Sequence, residues 1–248
     1  MALRPDSIIF VWDLDQTLAH KNNKNIINPY INDRALRCMH KLINSPRYGA
    51  NLLLTNNSDI KYINYIQDKL TEKYNKMFPD EKEDSLFDNI YTAARERDNG
   101  RYLNPRVLDE SVPEWIRTPN HLAKRLEDVE IMLREMIEKT YENYEKPPDY
   151  ETMVEESLRS LRERVFFFDD LPNHNIYDQL PEGHYIQITP PFIGPGEDNT
   201  KYSTAENALL PIEIVVQGGG ASKKYRKTKG KGKGKKRRGK KLTKRKSG

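Results

Sequence analysis

Five short apolar runs, separated by segments with helical periodicity, constrain the fold of this 248-residue chain more than any other feature. Each run is apolar at successive positions, so a strand formed from it would be buried on both faces. This pattern is typical of a parallel sheet that helices cover on both sides. The sequence therefore predicts an α/β fold with a doubly wound parallel sheet. The predicted strands are residues 7–12, 51–55, 87–93, 164–169 and 184–188.

Helical patterns fill the intervals between the apolar runs. A helix is predicted over 32–45, where Asn32 is a residue type that caps helix amino termini. A second is predicted over 58–70, with Ser58 in the same role. Two longer amphipathic segments are predicted as helices over 121–144 and 151–164, which together form a helical insertion of about residues 126–163.

Charge is distributed unevenly along the chain. Residues 221–248 contain 16 of the 42 Lys and Arg residues and no acidic residue, so the remainder carries 26 basic and 37 acidic residues, a net charge of −11. A segment this basic and this poor in apolar residues cannot bury enough surface to compensate for the entropy of ordering it. We therefore expect a folded domain over 1–217 and a disordered basic tail, rich in Gly, Lys and Arg, over 218–248.

The basic tail predicts sequence-independent binding to nucleic acid, because it can neutralise phosphates but lacks groups that read base edges. Solubilisation, nuclear targeting through GKKRRGKK, and attraction to an anionic membrane surface are alternatives. No segment reaches the roughly 18 apolar residues of a membrane span, and the amino terminus lacks a secretory signal pattern. With Cys38 as its single cysteine, the chain is expected to be intracellular, and nuclear or nucleic-acid-associated as one option.

Three of the predicted strands end in polar side chains. Asp13 and Asp15 follow the first strand, Thr55 ends the second, and Asp169 and Asp170 end the fourth. Because the carboxyl ends of parallel strands meet at one edge of the sheet, we expect these side chains to converge. A polar strand end is the alternative for each cluster taken alone.

Four converging carboxylates repel one another and need a cation. Ligands that are all oxygen suit Mg²⁺ better than Zn²⁺, and the chain has no cluster of Cys and His. The sequence therefore predicts a magnesium site. The predicted ligands are Asp13, Asp15, Asp169 and Asp170.

These motifs resemble those of the haloacid dehalogenase (HAD) superfamily of Asp-based phosphohydrolases. IIFVWDLDQT resembles the first motif, hhhDxDxT, NLLLTN the second, hhhT/S, and VFFFDD the fourth, hhhDD. The resemblance covers most of residues 7–190. DLDQTLAH is more narrowly similar to the DLDxTLxH of phosphatases that act on the carboxy-terminal domain of RNA polymerase II.

The resemblance implies a Rossmann-like HAD core and a Mg²⁺-dependent phosphatase that works through an aspartyl-phosphate intermediate. Asp13 would be the nucleophile. Asp15 would protonate the leaving oxygen and then activate water, and strand geometry directs both side chains to the same side. Asp169 and Asp170 would hold the metal directly or through water.

Three other side chains are predicted to contact the phosphate or the rest of the substrate. Thr55 would hold the transferring oxygens with the neighbouring amides, and Thr17 and Asn56 are predicted to bind substrate. The third motif of the superfamily is a basic residue, for which Lys124 is predicted because it lies off the apolar stripe of its helix. The alternatives for this residue are Arg117, Arg125 and Lys139.

The segment between the first motif and the first helix runs from Leu18 to Ile31 and contains only 14 residues, which is too short for a folded lid. An open cleft admits phosphate groups on macromolecules, so a phosphoprotein is the expected substrate. Two alternatives stay open. They are a HAD phosphatase of nucleic-acid ends or small phosphate esters, and a non-catalytic nucleic-acid-binding HAD scaffold.

Overall fold

The computed structural model describes residues 3–4, 6–21, 29–92, 124–142, 144–196 and 198–209. The predicted basic tail and Arg117 lie outside these residues, so their predictions stay as they are.

A five-stranded parallel sheet forms the centre of the described structure and confirms the predicted α/β class. Strand β1 (Ile8–Trp12) lies in the middle. It pairs with β4 (Tyr48–Leu54) on one side and with β6 (Val165–Asp169) on the other. The outer strands are β5 (Asn89–Tyr91), beside β4, and β7 (Tyr185–Gln187), beside β6. Chain order reverses at β1, and a crevice for ligands is expected at the carboxyl end of such a strand.

Two very short strands lie between β1 and the first helix. They are β2 (Ala19–His20) and β3 (Tyr30–Ile31), which pair antiparallel outside the main sheet. Among the described residues of this connection, no larger element is present.

The first two helices follow the sequence pattern, with one correction. In α1 (Asp33–Ile43), the side chain of Asn32 accepts hydrogen bonds from the second and third helical amides, which confirms the predicted cap. Helix α2 (Ile60–Met77) is longer than predicted, and its cap is Asp59, whose carboxylate accepts from the amide of Tyr62 at 3.0 Å. The predicted cap, Ser58, was wrong by one residue.

The later helices are shorter than their sequence patterns. Helix α3 (Leu126–Thr140) begins and ends inside the predicted range 121–144, of which 121–123 are not described. Helix α4 (Tyr150–Leu158) ends before the predicted residue 164, because Ser160 adopts a left-handed φ of 54° that interrupts the helix. The remaining elements are a 3₁₀ turn (Leu161–Glu163) and the short helices α5 (His174–Tyr177) and α6 (Ser203–Ala208).

The two faces of the sheet pack against different helices. Phe10 and Trp12 of β1 pack with α1 and α2, whereas Ile9 and Val11 pack with α3 on the opposite face. Both faces of β1 are therefore buried, which explains its continuous apolar run. Helix α3 is thus a layer of the core, although it lies in the stretch predicted as an insertion. None of the helices in the described residues is long and apolar enough to cross a membrane.

Candidate active site

A polar cleft of about 440 Å³ lies at the carboxyl ends of β1, β4 and β6. It is the place where the chain order of the sheet reverses, as the fold leads one to expect. Seven of the eight predicted site residues line this cleft. They are Asp13, Asp15, Thr55, Asn56, Lys124, Asp169 and Asp170.

Asp13 is held in place by the central strand. Its amide donates to the carbonyl oxygen of Phe168 at 2.8 Å, which continues the ladder between β1 and β6. The preceding residue, Trp12, stacks on the Phe168 ring with centroids 3.8 Å apart, and its indole N–H donates to the side-chain oxygen of Asn51 at 2.7 Å. Buried contacts with β6 and β4, the two neighbouring strands, therefore fix the backbone from which Asp13 projects.

Lys124 is the buried cation of the cleft. Its Nζ lies 2.6 Å from Oδ1 of Asp13 and 2.7 Å from Oδ2 of Asp169. The residue lies just before α3 and is not part of the helix, so the helical-wheel argument for it was wrong. Its position in the cleft is nevertheless the one that the prediction required.

The other basic candidates do not reach the cleft within the described residues. Arg125 is the cap residue of α3, and Lys139 lies in the last turn of the same helix. Neither residue lines the cleft. Among the candidates that the structure describes, only Lys124 can therefore neutralise a group bound beside Asp13.

Burial perturbs the ionisation of this cluster. Burial raises the pKa of Asp13 to about 7, with a further increase from the charge of Asp169 and a partial opposing effect of Lys124. Burial and Asp169 likewise raise the pKa of Asp170 to about 7. Burial disfavours the charged form of Lys124, but Asp13 and Asp169 outweigh this effect and raise the pKa of Lys124. One ammonium group therefore does not compensate for all the buried carboxylates.

The residues present fit a hard divalent cation. Asp13, Asp169 and Asp170 each place one carboxylate oxygen within 4.8 Å of the others, and all three residues are buried. Such all-oxygen donor sets suit Mg²⁺ or Ca²⁺, and a divalent charge would relieve the excess negative charge of the cluster. Asp15, the fourth predicted ligand, is not a member of this group.

Asp15 is less buried than Asp13. It is half-buried, and its Oδ2 accepts from the side-chain N–H of Asn57 at 2.7 Å. The chain turns sharply after it, because Gln16 has a φ of 60° and its amide donates to the carbonyl of Ala19 at 2.8 Å. Asp15 is therefore oriented by a polar partner and has access to solvent.

Thr55 and Asn56 line the cleft directly after the end of β4. The Thr55 amide donates to the carbonyl of Tyr91 at 3.0 Å, which extends the pairing of β4 with β5 by one residue. Its Oγ1 accepts from the amide of Asn57 at 3.1 Å. This turn leads directly into α2, whose amino-terminal end favours anionic groups.

Thr17 is the predicted substrate-binding residue that the structure does not bring into the cleft. Its side chain is fully buried, and its Oγ1 has no hydrogen-bond partner among the described residues. The carbonyl of Thr17 accepts from the side chain of Asn32 at 3.0 Å. This placement supports a role in joining the loop to α1 and gives no support to contact with a substrate.

Six residues that line the cleft were not predicted as site residues, and two of them, Asn57 and Lys21, matter for its chemistry. Asn57 orients Asp15, and its position directly after Asn56 in the second motif was a usable signal. Lys21 also lines the cleft, but a single lysine in a polar loop carries no sequence signal for such a role.

Comparisons with protein-family models, with curated proteins and with solved structures find no match. The functional interpretation therefore depends on the residues and geometry of the cleft itself.

Proposed function

We propose that this protein is a Mg²⁺-dependent phosphatase with a HAD-like, doubly wound core, and that Asp13 forms an aspartyl-phosphate intermediate. One observation carries this proposal. Asp13 is buried at the end of the central strand, 2.6 Å from Lys124, within the same group of carboxylates as Asp169 and Asp170. A nucleophile, a cation and a set of metal ligands thus lie in one cleft, which is what attack on a phosphate ester requires.

The metal would be held by Asp13, Asp169 and Asp170, which supply three oxygen ligands. When bound there, Mg²⁺ would neutralise the charge of a phosphoryl group and so permit an anionic nucleophile to approach it. Lys124 contributes a second positive charge from its buried position in the cleft, where the low local dielectric strengthens its effect.

The reaction uses the two carboxylates of the first motif in turn. The Asp13 carboxylate attacks phosphorus as the bond to the leaving oxygen breaks, and Asp15 gives its proton to that oxygen. Asp15 then takes a proton from a water molecule, which attacks the aspartyl-phosphate, releases inorganic phosphate and restores Asp13. Asn57 orients Asp15 for both proton transfers.

Hydrolysis of para-nitrophenyl phosphate tests the proposal. We expect turnover with Mg²⁺, none with EDTA, and none in Asp13→Asn, which loses the nucleophile without a change in volume. Asp68→Asn is the matched control, because Asp68 is exposed on α2 and does not line the cleft. Activity of Asp13→Asn at the wild-type rate would overturn the aspartyl-phosphate mechanism.

A phosphorylated macromolecule, and first a phosphoprotein, is the substrate that we propose. The residues described between β1 and α1 form only the short β2–β3 pair, which supports an open cleft. A panel of phosphopeptides, 3′- and 5′-phosphorylated oligonucleotides and sugar phosphates separates this substrate from nucleic-acid ends and small esters. Hydrolysis of none of them would favour the non-catalytic scaffold.

The basic tail is proposed to hold the protein on nucleic acid, consistent with a nuclear or nucleic-acid-associated location. Residues 221–248 carry 16 positive charges, whereas the remainder has a net charge of −11 and would repel a polyanion. Each neutralised duplex phosphate releases counterions, so affinity should fall with salt at a log-log slope of about 0.9 per contact.

Comparing the full chain with a truncation after Gly220 tests the tail. Binding to several unrelated oligonucleotides is measured across a salt series, and we expect the truncation to lose most of it. Equal affinity of the two proteins, or a tenfold preference for one sequence, would contradict the proposal.

A further inference from the structure

The cleft contains a second lysine whose charge the proposed chemistry does not use. Lys21 follows β2, is exposed and lines the same cleft as Asp13. Lys124 contacts two carboxylates, whereas the ammonium of Lys21 lies 4.1 Å from the centroid of the Tyr62 ring. A cation–π contact orients an ammonium group without neutralising it. Lys21 therefore presents a positive charge to a ligand in the cleft.

The ring of Tyr62 positions the ammonium group of Lys21. The tyrosine belongs to α2 and is 7% exposed, so its ring is held by the core. Its amide donates to the carboxylate of Asp59, the cap of the same helix, at 3.0 Å. Lys21 and the proposed general acid, Asp15, therefore line the same cleft.

The charge balance of the cleft makes this lysine important for substrates with more than one anionic group. Among the residues that line the cleft, five are Asp and only Lys21 and Lys124 are basic. A second anionic group on the substrate would be repelled from most of this surface. The cleft has a volume of about 440 Å³, which lies within the range of about 300–1,000 Å³ for ligand pockets. The cleft can therefore hold more of a substrate than the scissile phosphate.

The lining favours a peptide over a nucleotide as the rest of the substrate. No aromatic side chain is among the lining residues, and Lys21 covers a face of the nearby Tyr62 ring, so stacking of a base has no platform in the described cleft. Side-chain amides, which include that of Gln16, can bond to a peptide backbone.

We infer that Lys21 binds a second anionic group beside the scissile phosphate, and that it selects phosphopeptides with a neighbouring acidic or phosphorylated residue. The inference rests on the proposed function and specifies its substrate. Lys21 acts in this role as a specificity residue, because it binds the substrate outside the reacting atoms.

The experiment compares matched phosphopeptides that differ only in whether residues next to the phosphoserine carry a second phosphate. We expect the wild-type protein to have the higher kcat/KM on the doubly phosphorylated peptides. Lys21→Ala should reduce the ratio of kcat/KM on doubly and singly phosphorylated peptides about fivefold, as expected for the loss of one partly exposed ion pair. Lys21→Glu should reduce this ratio about twentyfold, because it reverses the charge. The effect should appear in KM and should diminish at high salt.

Lys69→Ala is the matched control, because Lys69 also lies over a tyrosine ring, Tyr65 at 5.9 Å, but outside the cleft. Equal losses on both kinds of peptide, or a loss confined to 5′-phosphorylated oligonucleotides, would overturn the inference and leave the phosphatase proposal intact. If no phosphate ester is hydrolysed, the phosphatase proposal fails by itself. Fluorescence anisotropy of the same peptides then still shows whether Lys21→Glu weakens binding of the second phosphate.

Discussion

The floor and the rim of the cleft differ in burial, and the difference determines how strongly the charges of each interact. The floor residues are at most 6% exposed, and they are Asp13, Lys124, Asp169 and Asp170. The rim residues are half-buried or exposed, and they are Asp15, Lys21, Asn57 and Asp59. Charges interact strongly where water is excluded and are screened where it is not. Apart from Asp15, which takes part in the proposed proton transfers, changes to the rim should therefore affect activity less than changes to the floor.

After Asp13→Asn, which should abolish turnover, the largest effect is expected from removing the cation of the floor. Lys124→Met leaves the buried carboxylates without their ammonium partner, and kcat/KM should fall on the order of a hundredfold or more. Steady-state kinetics measure the loss, and urea unfolding separates it from a loss of fold. Lys139→Met, an exposed lysine of α3, is the control and should stay within about twofold of wild type. A similar loss in both variants would place the essential cation elsewhere.

Asp15→Asn tests the rim residue that is the proposed general acid and base. Turnover of a phosphoserine peptide should fall by a factor on the order of a hundred or more, because the alkoxide leaving group needs a proton. The loss should be smaller with para-nitrophenyl phosphate, whose leaving group is stable as an anion. An equal loss on both substrates would argue against a role in proton transfer.

Asn57→Ala should have a smaller effect that depends on Asp15. The variant removes the 2.7 Å hydrogen bond to the Asp15 carboxylate, and kcat should fall about tenfold, as expected for a bond to a charged group. If Asn57 acts only through Asp15, the same substitution should cause little further loss in the Asp15→Asn background. Additive losses in the double variant would show an independent role.

The smallest expected effect concerns the start of α2 at the rim. Asp59→Ala removes the cap that binds the Tyr62 amide, and the free energy of unfolding should fall by about 1 kcal/mol. Ser58→Ala should change it by less than about 0.5 kcal/mol, because Ser58 is not the cap. Urea denaturation of the two variants measures the difference, and the reverse order would restore Ser58 as the cap.

The strands and the acidic floor could be predicted because each depends on local pattern. The run that ends at Trp12 is apolar throughout, and Asp13 follows it directly, so both the strand and the position of its carboxylate can be identified from sequence. Helix ends were harder to predict. The φ of 54° at Ser160 depends on how the chain packs, and no residue type marks it in advance.

The rim could be predicted only in part, because it depends on contacts between distant residues. The hydrogen bond between Asp15 and Asn57 joins positions 42 residues apart. The ammonium of Lys21 lies over the ring of Tyr62, a residue of a different element. Thr17 shows the opposite case. It matches a motif, yet the turn at Gln16 leaves its side chain buried outside the cleft.

The backbone amide of Asp13 ties the position of this carboxylate to the stability of the central sheet. Its hydrogen bond to Phe168 belongs to the centre of the sheet, so we expect its proton to exchange with solvent only when the whole structure opens. The amide of Asn57 is bonded instead to the Thr55 hydroxyl, so a local fluctuation can release it. Any change in a distant part of the core that accelerates unfolding will therefore shorten the time for which Asp13 stays in position, even if nothing in the cleft is altered.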